Sequence, residues 1–296
     1  MTSLEKETSQ KKKKIKGDGI LISLIILLFL IGAGLMIYPD VASFQASRRH
    51  AGIVEQFYRE VENLPNEEIL YHFDRARNYN ESLTGIHIED PFVVGSGAVI
   101  PTDYYDILNI SQMMGFIEIP TIDLRIPIFH GTGEDVLMRG VGHIPNTPFP
   151  IGQLSKHAVL TGHTAIPTSR LFTDLERLEL GDIFIITVLN ERMMYQVDQI
   201  TVVLPHEISD LRNIANEDLV TLVTCTPYAI NSHRLLVRGM RIPYEEDLEI
   251  EVEILLNALN WRILLVAGLS GLFVIGWLIY LIQSRRKRKR ARRVDA

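Results

Sequence analysis

Cys225 carries the only thiol in a chain of 296 residues. A thiolate is a strong nucleophile near neutral pH, and a protein favours it by setting a base or a positive charge beside the sulfur. Taken alone, one cysteine is better explained as an inert, buried apolar side chain. Its neighbours argue for chemistry. Thr221-Leu222-Val223-Thr224 reads as a strand leading into Cys225, and Thr226-Pro227-Tyr228 breaks that strand directly after it. The sulfur then sits at a strand end, where a substrate groove can form with Thr224 on its wall. Arg234 opens the next apolar run after an eight-residue loop, Thr226 to His233. Returning beside the sulfur, its guanidinium could hold a carbonyl oxygen as negative charge develops there. Arg238 shares the strand parity of Arg234 and could face the same groove.

Nine histidines compete for the acid/base role: His50, His72, His87, His130, His143, His157, His163, His206 and His233. None is spaced from the cysteine or from another histidine as zinc ligands are, so the expectation is no metal. His163 stands apart because Gly162 precedes it at the end of a strand-like run and Thr164-Ala165-Ile166-Pro167 follows, which puts it at a loop mouth.

The elements that must position these residues are mostly short strands. Val41 to Leu83 has helical spacing and reads as an arm, with a second start at Asn66-Glu67-Glu68, and Gly85 to Thr102 is a turn-rich surface loop. From Met114 onward the pattern is β. Runs at 115–119, 122–129, 157–161, 182–189, 193–203, 219–225 and 234–242 are strand-like, with a hairpin turn at Asn190-Glu191-Arg192 and short helices at Glu134 to Arg139 and Arg170 to Leu178. Seven or eight short strands with few helices predict a closed or nearly closed β-barrel.

Four stretches around these residues carry a family resemblance. TLVTC (Thr221 to Cys225) resembles the sortase signature TLxTC, and the longer TLVTCTPYAINSHRLLVRGMR is similar to the version in the pilus-building sortases of class C. HGTGEDVLMRGVGHIPNTPFPIG, LTGHTAIPTSRLFTDLERLELGD and VLNERMMYQVDQITVVLP extend the resemblance over roughly residues 115–243. The resemblance implies an eight-stranded sortase-type β-barrel, with Cys225 as nucleophile, His163 as general acid/base and Arg234 as the third working residue. It implies cleavage of an LPxTG-like sorting signal after its threonine, a thioester on the cysteine, transfer to a pilin lysine amine, and no cofactor. Asp90-Pro91-Phe92 resembles the Asp-Pro-aromatic lid that covers the groove in class C enzymes. Three other readings stand beside this one: a housekeeping sortase that attaches surface proteins to peptidoglycan, a cysteine peptidase with water as acceptor, and a non-enzymatic surface scaffold.

Gly19 to Tyr38 and Ile263 to Ile282 are each 20 uncharged residues, long enough as helices for a bilayer core. The first is longer than a signal-peptide core, and Ile37-Tyr38-Pro39 is a poor cleavage site, so it reads as a retained anchor. Six lysines precede the first span and eight Lys or Arg follow the second, which predicts that both ends are cytoplasmic and the part between lies outside the cell, which the family resemblance implies is Gram-positive. A basic run that abuts a span is a topology anchor with affinity for anionic lipid, so nucleic acid is not expected as a partner. Of 30 Lys+Arg, 15 lie between the spans with Arg262 at the edge of the second set aside, against 32 of the 36 Asp+Glu, so that segment is near −17 and well solvated. The expected organisation is a basic N-terminus (1–18), a span (19–38), a helical stem with the lid loop (39–113), the catalytic barrel (114–245), a juxtamembrane segment (246–262), a second span (263–282) and a basic tail (283–296).

Overall fold

The computed structural model describes residues 3–83, 100–207, 209–244, 268, 271 and 275–277, with side chains from Ser23 onward, Ser209 apart. It divides into two units, residues 1–41 with 259–296, and residues 42–258. Helix α1, Ser3–Glu62, begins in the first and ends in the second. Within the first unit Leu24, Leu27, Leu28, Leu35 and Met36 are all exposed. This helix is long and apolar enough to cross a bilayer, which suggests a membrane anchor. Most of the second expected span lies outside the described residues; the five described positions within it are helical.

In the second unit the end of α1 buries Val54, Phe57 and Val61, and the rings of Phe57 and Tyr58 meet Phe116 edge-on at 6.2 and 5.2 Å. Helix α2, Asn66–Ser82, buries Ile69, His72, Ala76, Tyr79 and Asn80, a stripe at three- and four-residue spacing. Asn80 makes this docking specific. Its amide oxygen accepts from the Phe149 N–H at 2.7 Å and its amide nitrogen donates to the Phe149 carbonyl at 3.1 Å.

Eight strands follow: β1 (Gly115–Ile119), β2 (Leu124–His130), β3 (Val141–His143), β4 (Lys156–Thr161), β5 (Ile183–Val188), β6 (Glu191–Val203), β7 (Asp218–Thr226) and β8 (His233–Ile242). They close into a barrel in the order β1-β2-β3-β4-β7-β8-β6-β5. The pairs β2–β3 and β4–β7 are parallel and the others antiparallel. The eight-stranded barrel is the architecture the strand pattern predicts, with local differences. β3 has three residues, too few for an alternation signal. It fits because Gly142 passes so close to the Gly131 carbonyl that a Cβ there would stand 2.3 Å from the oxygen.

The β5–β6 hairpin turns at Leu189-Asn190, one residue earlier than expected, with Val188 opposite Glu191. Arg192 thereby joins the ladder and donates to Glu118 at 2.9 Å; Arg125 donates to the same buried carboxylate at 2.7 Å. The helix expected over Arg170 to Leu178 shrinks to a 3₁₀ turn, α3 being Glu134–Leu137. Leu171 takes φ 36° and Phe172 gives its N–H to the His163 carbonyl, and neither suits a continuous helix.

Alternation sorts the central strands β4, β7 and β8 into two faces. Ala158, Leu160, Val220, Leu222, Leu235 and Val237 join the main core inside the barrel. Val159, Val223 and Leu236 form a second cluster with Ile144 and Leu211. Cys225 and Arg234 have the parity of this second face.

Candidate active site

Cys225 lies one residue from the end of β7, the middle strand of the β4–β7–β8 group, and is partly buried. On one side, the antiparallel register with β8 sets Arg234 directly opposite it. Residues opposite in an antiparallel pair have Cα atoms about 4.5–5.5 Å apart, so the guanidinium is delivered by the ladder itself. Arg234 is 8% exposed, and its Nη1 donates to the carbonyls of Asn231 at 3.2 Å and His233 at 3.1 Å. The loop between β7 and β8 thus braces the guanidinium.

On the other side β4 runs parallel to β7, with Thr161 beside Val223. The ladder continues past the strand end. Gly162 N–H donates to the Val223 carbonyl at 3.1 Å, and the Thr224 hydroxyl donates to the Gly162 carbonyl at 2.8 Å. Carried on by one further step, this register sets His163 abreast of Cys225. Position parity within β7 and β8 puts Cys225 with Val223 and Arg234 with Leu236, on one face. Arg234 and the chain leading into His163 thus flank Cys225 in the register of β7. The Nε2 atom of His163 stands 3.3 Å from Glu134 Oε2, at the first residue of α3.

Thr224, expected on the wall of a groove, is only 2% exposed and holds Gly162. Its even parity points it to the barrel side, so in this structure it is a tie between β7 and the His163 chain rather than an open wall. Thr221 does the matching work lower on the seam: its hydroxyl lies 2.7 Å from His157 Nε2, while His157 Nδ1 lies 2.9 Å from the Arg212 carbonyl. A carbonyl only accepts, so Nδ1 carries the proton and Nε2 accepts from threonine. Burial pushes the His157 pKa down to about 4, against a smaller opposing effect of the Arg212 carbonyl. Both threonines of TLVTC thus fasten β7 to β4 so that Cys225 ends in place. Sequence reading missed these ties, and missed Glu134, because each contact joins residues far apart in the chain.

The other candidates have other roles. Arg238 shares the face of Arg234 but stands opposite Thr221, and its Nη2 donates to Asp198 at 2.6 Å. His143 is fully buried between the Tyr104 hydroxyl at 2.9 Å and the Pro148 carbonyl at 2.9 Å, and burial lowers its pKa to about 3. His130 Nε2 bonds the Ile107 carbonyl at 2.6 Å and His50 Nε2 the Arg139 carbonyl at 3.0 Å. His233 has the parity of Leu235, away from Arg234. His87 and the expected lid, Asp90-Pro91-Phe92, lie outside the described residues. Among the described residues no three His, Cys, Asp or Glu side chains are grouped to hold a metal ion.

Comparison with known proteins agrees with this geometry. The Sortase domain family matches residues 117–242. Sortase C1 of Streptococcus agalactiae, solved as a complex with MTSET, is 44% identical and superposes with a TM-score of 0.62, covering 67% of this chain and 97% of that one. The sortase C of Streptococcus pneumoniae, described for its catalysis and pilin substrate specificity, is 39% identical with a TM-score of 0.61, covering 65% and 97%. Sortase A of Bacillus anthracis is 24% identical over 218 residues, 72% of this chain and 90% of its own. A closed eight-stranded barrel with Arg234 opposite Cys225, matched in sequence along nearly the full length of solved sortase C chains, identifies the chain as a member of the sortase family of cysteine transpeptidases.

Proposed function

We propose that this sortase cleaves an LPxTG-like sorting signal after threonine and transfers the threonyl acyl group to a pilin lysine, with Cys225, His163 and Arg234 as its working residues. The observation that carries the reading is the register of β7, with Arg234 directly opposite Cys225 on one side and, on the other, Gly162 tied to Val223 and Thr224 just before His163. In the first half-reaction the Cys225 thiolate attacks the threonine carbonyl carbon. Arg234 donates to the oxygen as it becomes negative, and protonated His163 gives its proton to the departing glycine nitrogen. A thioester remains. In the second half the lysine amine attacks the thioester, neutral His163 takes its proton, and the thiolate leaves.

The pilin reading draws support from the higher identity to the two solved sortase C chains than to Sortase A of B. anthracis. By family resemblance, Asp90-Pro91-Phe92 is the lid over the groove and Asp90 the partner of Arg234. The apolar helix that opens α1, together with the basic flanks and the second uncharged stretch, supports a two-pass membrane protein with both ends cytoplasmic and the barrel outside. Protease added to intact cells stripped of their wall should digest the region 39–261 and spare both tails; protection of that region overturns the topology.

The acceptor is tested by mixing enzyme and sorting peptide with either lysine-bearing pilin or a peptidoglycan amine. Faster transfer to pilin lysine is expected. Faster transfer to the wall amine would establish the housekeeping alternative.

A further inference from the structure

His163 is held by its backbone from two directions. Its carbonyl accepts from Phe172 N–H at 3.1 Å, and the preceding Gly162 is tied to Val223 and Thr224. The imidazole still has two side-chain torsions to fix. One of its nitrogens, Nε2, lies 3.3 Å from Oε2 of Glu134. Glu134 is itself delivered by a rigid element. Helix α3 is a single turn closed by Leu137 N–H to Gly133 carbonyl at 3.0 Å and Met138 N–H to Glu134 carbonyl at 3.0 Å. Leu137 is 2% exposed and lies against Gly142, whose place in β3 beside Thr161 of β4 puts the turn next to the strand end from which His163 emerges. The Glu134 side chain is 77% exposed, so nothing in the core requires a carboxylate there.

We propose that Glu134 is a positioning residue for the transfer reaction, its carboxylate accepting from Nε2–H of His163 and so leaving Nδ1 as the nitrogen that exchanges a proton with substrate. An ionised carboxylate can only accept, so the shared proton belongs to Nε2. A neutral imidazole carries one N–H, and its lone pair is then on Nδ1. In the first half-reaction Nδ1–H of the imidazolium passes its proton to the leaving glycine amine. In the second the Nδ1 lone pair receives a proton from the attacking lysine. Nε2–H stays with Glu134 in both halves, and no proton is created or lost. This inference rests on the reading of His163 as the proton carrier.

The test uses the full-length enzyme in detergent micelles with a sorting-signal peptide and a lysine-bearing acceptor peptide, comparing Glu134→Ala, Glu134→Gln, His163→Ala and the His163→Ala/Glu134→Ala double variant. Glu134→Ala should lower kcat about three- to sixfold, the size expected of an exposed charged pair, with KM for the sorting peptide and Tm unchanged. Glu134→Gln keeps an oxygen acceptor and should recover at least about half of the wild-type kcat. Added to His163→Ala, the Glu134→Ala change should alter the residual rate by less than about 1.5-fold, because its effect runs through that ring. A wild-type kcat in Glu134→Ala, a Gln variant as slow as the Ala variant, or a further loss on the His163→Ala background would overturn the proposal while leaving His163 in its role. Full activity of His163→Ala would overturn the role itself, and the proposal with it.

Discussion

Two arginines on one face of β8 separate by what each one touches. Arg234 stands opposite Cys225 and is braced by the carbonyls of Asn231 and His233. Arg238 stands opposite Thr221, two strand repeats further from the thiol, with its guanidinium on Asp198. Arg234→Ala should therefore reduce turnover by at least about a hundredfold, as removal of an oxyanion donor does, and Arg238→Ala by much less. Steady-state kinetics on the two variants check this, and a larger loss from Arg238→Ala would reassign the oxyanion role. Much of this was legible in sequence. The lone thiol, its strand-ending context and the two-residue repeat of β8 are local features, and strand parity alone puts Arg234 and Arg238 on the same face. What parity cannot give is the partner across the sheet: Asp198 for Arg238, Glu134 for His163, and Gly162 for Thr224, which sequence reading placed in the groove.

At the scale of elements, the seam between β4 and β7 decides whether the site exists. A parallel pair has no tight turn to set its register, so buried side chains must do so. Thr221 to His157 and Thr224 to Gly162 are two such fasteners, 2.7 and 2.8 Å long. Thr221→Val keeps the shape but removes the hydroxyl that His157 Nε2 accepts from. The buried nitrogen is left without that donor, and the variant should lose about 1–3 kcal/mol of stability, measurable by denaturant unfolding. A stability equal to wild type would show that the seam is held by apolar packing alone. The long strands β6, β7 and β8 were readable because each is a run of nine or more residues rich in β-branched and apolar side chains. Strand β3 was not, having three residues and a place fixed by the close approach of Gly142 to Gly131.

For the whole molecule, buried histidines set the acid limit of the fold. His157, neutral and buried, takes a proton in the fold only near pH 4, whereas the unfolded chain takes it near 6.5, and His143 behaves likewise with a value near 3. Their contribution is complete above pH 6.5 and is lost as the pH falls toward those values. Asp218 acts in the opposite direction. Burial raises its pKa to about 6, partly offset by Arg241 and the Tyr195 hydroxyl, so its contribution is complete below about 3.8 and is lost as the pH rises through about 6. The two histidines outweigh the one carboxyl, so stability should fall on acidification from pH 6.5 to 4. His157→Gln should lessen that fall by about 3 kcal/mol, read from unfolding midpoints across the range; an unchanged slope would mean that His157 is not neutral in the fold. The central claim, that Cys225 between His163 and Arg234 carries the acyl group, is tested most directly by intact-mass analysis of the enzyme incubated with a sorting peptide and then with lysine-bearing pilin. The account predicts an adduct equal to the peptide cut after threonine, located on Cys225, absent from Cys225→Ala and discharged by the pilin amine. An adduct that persists in Cys225→Ala, or cleavage of the peptide with no adduct on Cys225 in the wild type or in a slow His163→Ala variant, would contradict it.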